Sequence, residues 1–271
     1  MKSRPDAQLV SPTTRPSPGG ERDGREAVVA LRGVSKSYVR GSSTTRVVDE
    51  VDLTAAQGEC VFLLGPSGSG KSTLLSIIGC VLTADCGDVR IMGCDVSRLS
   101  QDEAAILRRQ HIGFVFQRFH LIRGLSAVEN VAVPLTLAGW TAPRARRRAS
   151  ELLAMVDMSE LLDAQPSRLS VGQCQRVAFA RALAADPELI LADEPTASLD
   201  AKTGHQALEL LRRMTVDAGK TVIVVTHDPR ILSFADRILH MENGRVEERS
   251  GDDDMMLAAV SHPTLELAST S

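Results

Sequence analysis

The sequence is short of aromatic side chains, with one Trp, one Tyr and six Phe among 271 residues. So few rings leave no stacking platform of the kind that holds single-stranded nucleic acid. Charge adds no pull toward polyanions, because 31 Lys and Arg face 34 Asp and Glu for a net charge of −3. No nucleic-acid partner is expected. The one basic run, Arg144-Ala145-Arg146-Arg147-Arg148, falls in a helix expected over 143–156. Its apolar positions Ala149, Leu152, Leu153 and Val156 follow helical spacing, so the arginines read as that helix's solvated face. The five cysteines (Cys60, Cys80, Cys86, Cys94 and Cys174) contain no Cys-x-x-Cys pair, and no secretory leader is read. Free thiols in a reducing cytoplasm are the expectation. Long apolar runs are missing too. The best, near Leu74–Leu82, is interrupted and short of the roughly 18–20 residues a membrane span needs. Any membrane step would need another chain to cross the bilayer.

Hydrophobic residues, at 43 %, suffice for a substantial core, as one large α/β domain or two small ones. Within that core, Gly65-Pro66-Ser67-Gly68-Ser69-Gly70-Lys71-Ser72 spells G-x-x-x-x-G-K-S. The apolar run Val61–Leu64 precedes it and a helical segment over 72–78 follows, which is the strand–loop–helix setting this loop requires. Its glycines let backbone N–H groups turn toward an anion, and the helix N-terminus adds its positive dipole end. Lys71 is expected to reach the β- and γ-phosphates, and Ser72 to offer its hydroxyl to Mg²⁺. Residues 65–72 together with Thr73 form the expected nucleotide-holding set. A nucleoside triphosphate is the implied ligand.

Further along, residues 188–195 read as an apolar strand that delivers Asp193 and Glu194 at its end. Ligands bind at that end of strands in a doubly wound sheet. Asp193 is therefore expected behind the Mg²⁺, opposite Ser72, and Glu194 is placed to polarise the attacking water. Hydrolysis asks for a held γ-phosphoryl, neutralised charge and one aligned water. No Asn-Lys-x-Asp guanine reader occurs, which argues against a GTPase.

Between loop and acids lies Leu169-Ser170-Val171-Gly172-Gln173-Cys174-Gln175-Arg176. It resembles the signature of the ATP-binding cassette family, commonly Leu-Ser-Gly-Gly-Gln before a Gln/Arg-rich helix. Tyr38 resembles the family's adenine-stacking aromatic, and Gln117 its glutamine-loop residue facing Mg²⁺ and water. Asp200, in Ser198-Leu199-Asp200, resembles the aspartate loop; His227, after the strand 221–226, resembles the switch histidine. The resemblance implies ATP and Mg²⁺ as cofactors, with Ser72, Gln117 and Asp193 facing the metal and Glu194, Gln117 and His227 catalytic. It also implies that Ser170, Gly172 and Gln173 contact the γ-phosphate side of an ATP held by a second copy, paired head to tail. Val171 stands where the family usually has glycine, and it is expected at a helix start or in extended backbone, where a β-branched residue is tolerated.

The implied fold is α/β. It has a parallel P-loop core (strands 60–64, 112–116, 188–193, 221–226), an antiparallel β-subdomain (strands near 28–32, 47–53, 89–92) and an inserted helical subdomain over about 118–168. Asn243-Gly244 is a type I′ hairpin signal. Residues 1–27 and 249–271 read as tails flanking a cassette over 28–248. The segments 116–122 and 126–131 look most like the ATPases of lipoprotein-release and macrolide-exporter systems. That implies an integral membrane permease as partner, with the cassette on the cytoplasmic face. An importer ATPase is the alternative; a non-transport cassette protein would carry tandem cassettes or long coiled coils.

Overall fold

The computed structural model describes residues 25–215 and 218–248. The expected tails fall almost wholly outside them, although Ala27 already lies buried in the first strand. Two sheets organise the chain. The larger has six strands in the order β10-β9-β3-β8-β7-β6. In it β3 (Cys60–Leu64), β6 (Ile112–Val115), β7 (Leu189–Asp193), β8 (Thr221–Thr226) and β9 (Arg237–Glu242) run parallel, and β10 (Arg245–Glu248) returns antiparallel to β9. β9 was legible only as a hairpin arm, and its parallel pairing with β3 makes it a fifth core strand. Asn243 and Gly244, at φ of 49° and 82°, form the turn whose signal the sequence carries.

Side chains of the parallel strands alternate strictly between two apolar cores. Phe62, Ile190, Ala192, Val222 and Val224 face one; Val61, Leu63, Leu189, Leu191, Ile223 and Val225 face the other. Burial on both faces is why these strands read as unbroken apolar runs. The second core is closed by α1 (Lys71–Ile78) and by a four-stranded antiparallel sheet ordered β2-β1-β4-β5. Its long arms β1 (Ala27–Arg40) and β2 (Ser43–Ala56) extend well past the apolar stretches the sequence marks, with β4 (Cys86–Ile91) and β5 (Cys94–Asp95) beside them.

The first core is closed by α3 (Ala127–Leu137), α4 (Ala142–Met155), α5 (Val171–Ala182) and α6 (Ala201–Thr215). α2 (Gln101–His111), α3 and α5 each start at a capping box, Ser100 with Glu103, Ser126 with Glu129, and Ser170 with Gln173. Reciprocal bonds satisfy two of the orphan donors at each start, and removing such a cap costs about 1 kcal/mol.

Candidate functional site at the C-terminal edge of the parallel sheet

The phosphate loop is built for close backbone approach. Gly65, Gly68 and Gly70 have φ of 156°, 82° and 107°. A Cβ on Gly70 would stand 2.3 Å from the Val47 carbonyl oxygen, and one on Gly65 2.1 Å from that of Met241. The loop is thus clasped between β2 and β9, and the Ser69 carbonyl accepts from the Gly244 N–H at 3.2 Å. Gly70 caps α1 without a side-chain bond, leaving the loop's N–H groups directed by backbone alone. Lys71, 6 % exposed, donates through Nζ to the Gly65 and Pro66 carbonyls at 2.7 and 2.8 Å. Burial lowers its pKa, and the facing charges of Glu194 and Asp193 oppose that shift.

Ser72 donates to Asp193 Oδ1 at 3.2 Å, so hydroxyl and carboxylate meet as the strand ends predict. Burial raises the Asp193 pKa; the Ser72 bond and Lys71 pull it back down, while Glu194 adds to the rise. Glu194 sits at φ 48°, a left-handed conformation uncommon for a non-glycine residue, fixed by its N–H bond to the Val225 carbonyl at 2.8 Å. Its carboxylate is gripped twice. His227 Nδ1 lies 2.6 Å from Oε1, and the Thr226 hydroxyl donates to Oε2 at 3.3 Å. The Thr226 oxygen in turn accepts from the Asp228 N–H at 3.0 Å. Sequence reasoning missed Thr226. Its signal was a hydroxyl at the last position of an otherwise apolar strand end.

Gln117 follows β6 on an exposed turn, and its carbonyl accepts from Ser198 Oγ at 3.5 Å. That bond joins the expected glutamine and aspartate loops. Asp200 is occupied as a cap, accepting from the Thr203 N–H at 3.0 Å and the Thr203 hydroxyl at 2.6 Å. At the signature, Ser170 Oγ accepts from the Gln173 N–H at 3.2 Å and Gln173 Oε1 from the Ser170 N–H at 2.8 Å. Val171 is the first residue of α5, half exposed, so the helix-start geometry expected for it is met. Gly172 has room for its neighbour only as glycine or slightly more: a Cβ there would lie 3.0 Å from Thr203 Cγ2. Tyr38 is exposed on β1 and pairs with Thr45, two residues before the Val47 carbonyl that abuts Gly70. The hairpin thereby sets Tyr38 opposite the part of β2 that leads to the phosphate loop.

The loop's glycine conformations, the buried ammonium and the Ser72–Asp193 pair fit a Mg²⁺-bound triphosphate. No helix among the described residues is long and apolar enough to cross a membrane.

Residues 48–197 match the family model described as ABC transporter. The macrolide export ATP-binding/permease protein MacB of Photorhabdus laumondii is 43 % identical over 225 residues, covering 83 % of this chain and 35 % of that protein. The protein of the same name from Salmonella typhi is 44 % identical over 220 residues, 81 % of this chain and 34 % of that one. The chain thus spans about a third of the length of these curated relatives. Among solved structures, the ATP-binding cassette MJ0796, as a post-hydrolysis dimer bound to ADP and Pi, aligns with a TM-score of 0.76 at 43 % identity, over 82 % of this chain and 99 % of that one. The chain belongs to the ABC transporter family, and it is an ATPase cassette of that family.

Proposed function

We propose that this cassette hydrolyses ATP as a head-to-tail pair of identical chains and drives an integral membrane permease of export type from the cytoplasmic face. The observation carrying the proposal is the convergence at one sheet edge of Lys71, the Ser72–Asp193 pair and a Glu194 carboxylate gripped by Thr226 and His227. The loop N–H groups and Lys71 hold the β- and γ-phosphates, and Tyr38 stacks on adenine. Ser72 and Gln117 would hold Mg²⁺ with Asp193 behind them, and a bound ion would supply neutralising charge for the transferring phosphoryl. Glu194 orients the attacking water and takes up its proton's hydrogen bond. His227, bound to Glu194 through Nδ1, keeps Nε2 for the γ-phosphate. Ser170 and Gly172 close the site from the second copy, and Gln173 holds Ser170 in place through the capping box.

Support for the pairing comes from the dimeric state of the MJ0796 cassette, and support for export from the macrolide-export relatives. The permease is expected to dock beside Gln117. There Asn130, fully buried, accepts from the Ile122 N–H at 2.7 Å and donates to the carbonyls of Ile122, Leu125 and Ser126, tying the segment after Gln117 to α3. A shallow apolar groove of about 400 Å³ opens next to it between α3 and α4, lined by Leu125, Val128, Ala132, Val133 and Leu137. Coupling needs a contact whose affinity differs between open and closed dimers. In liposomes carrying cassette and permease, Glu replacements at the exposed Arg118, Ile122 and Arg123 should abolish permease-stimulated phosphate release and transport. Basal hydrolysis by the isolated chain should stay within about twofold. Unchanged stimulation would place the docking site elsewhere.

A further inference from the structure

α5 carries the signature at one end and an arginine at the other. It starts at its Ser170 cap and has Arg181 in its last turn. Arg181 lies against the segment that follows Gln117, donating through Nη1 to the His120 carbonyl at 2.6 Å and through Nη2 to the Phe119 carbonyl at 2.5 Å. Both acceptors belong to residues in left-handed backbone, Phe119 at φ 58° and His120 at φ 46°. Two successive non-glycine residues persist there only when surroundings over-determine them. The surroundings do so: the Phe119 N–H bonds the Phe116 carbonyl at 3.0 Å, and the Phe116 and His120 rings stack with centroids 4.8 Å apart. The same end of α5 rests directly on β6, since a Cβ on Gly113 would lie 2.2 Å from the Ala182 carbonyl oxygen. Burial lowers the Arg181 pKa, as expected for a guanidinium held in the protein rather than in water.

We propose that Arg181 is a positioning residue that makes α5 and the Gln117 turn move as one body, so that Ser170's engagement with the partner's nucleotide sets where Gln117 stands in its own subunit. The inference rests on the roles given above to Ser170 and Gln117. A helix of 12 residues spans about 18 Å and transmits displacement stiffly over that length. A planar guanidinium fixes two carbonyls in one geometry, which a lysine ammonium, a point charge, does not reproduce. Each site would then sense occupancy of the other, and hydrolysis would be cooperative in ATP.

The test is a double-mutant cycle on the full-length chain with Arg181→Lys, Gln117→Ala and their combination, reading kcat, KM and the Hill coefficient. Arg181→Lys should lower kcat about tenfold, leave KM within about threefold and bring the Hill coefficient toward 1. In the Gln117→Ala background it should cost nothing further, whereas independent effects would multiply. Multiplying losses beside a damaging Gln117→Ala would overturn this inference alone. An inert Gln117→Ala with Arg181→Lys still damaging would overturn it together with the role of Gln117. Should Arg181→Lys not accumulate in folded form, the paired change Phe119→Gly and His120→Gly frees the turn and leaves α5 untouched. It must then give the same non-additive loss, and an independent loss counts against the proposal.

Discussion

The phosphate loop and the signature turn both lead into helix N-termini, yet they are finished differently. At α1 the cap is Gly70 in left-handed backbone, no side chain claims the helix's first N–H groups, and Lys71, Asp193, Glu194 and His227 of the same chain gather beside it. At α5 the cap is Ser170 in extended backbone, and its own Gln173 completes a capping box. The first end is a catalytic half-site assembled within one chain. The second is a self-satisfied helix start, and in the proposed pairing its hydroxyl acquires a chemical task only against another copy.

The largest loss is expected at the assembled end. Glu194→Gln keeps the shape that Thr226 and His227 grip but removes the carboxylate proposed to orient water. ATP binding should persist while kcat falls by about 10²–10⁴. With ATP and Mg²⁺, size-exclusion should show doubled mass; an active, permanently monomeric variant would contradict the site.

A smaller effect is expected one bond away. Thr226 is fully buried and links Glu194 to the Asp228 N–H. Thr226→Val keeps the volume but loses both bonds, each worth about 0.5–1.5 kcal/mol. We expect kcat to fall about tenfold at near-constant KM, with Thr226→Ser restoring most of it. An undiminished valine variant beside an impaired serine variant would assign Thr226 to packing alone.

The smallest effect belongs to the other helix end. Val171 occupies the first turn of α5 without steric conflict, so Val171→Gly should change turnover by less than tenfold, below about 1.4 kcal/mol of barrier. A larger gain would mean that valine distorts the signature.

Much of the fold was legible because the parallel strands are buried on both faces. Strands 60–64 and 221–226 were read to the residue, and those ending at Val115 and Asp193 to within one. β1 and β2 were read too short mainly because the tip of their hairpin, over 38–40 and 43–46, is exposed and carries little apolar signal. β9's position beside β3 could not be read, since parallel pairing joins residues 61–64 to 237–240 and no local pattern encodes it. At the site, the residues with family motifs were legible. Thr226 and Arg181 were not, because each acts on partners more than thirty residues away, Glu194 in one case and Phe119 with His120 in the other.

In the proposed pairing, one working site takes Lys71 from one chain and Ser170 from another. This sharing is tested most directly by mixing two inactive variants, Lys71→Ala and Ser170→Ala, under conditions of demonstrated subunit exchange, and measuring phosphate release. The shared-site geometry predicts recovery, because a mixed pair places both defects in one site and leaves the other intact. Release that stays at the level of either variant alone would contradict it.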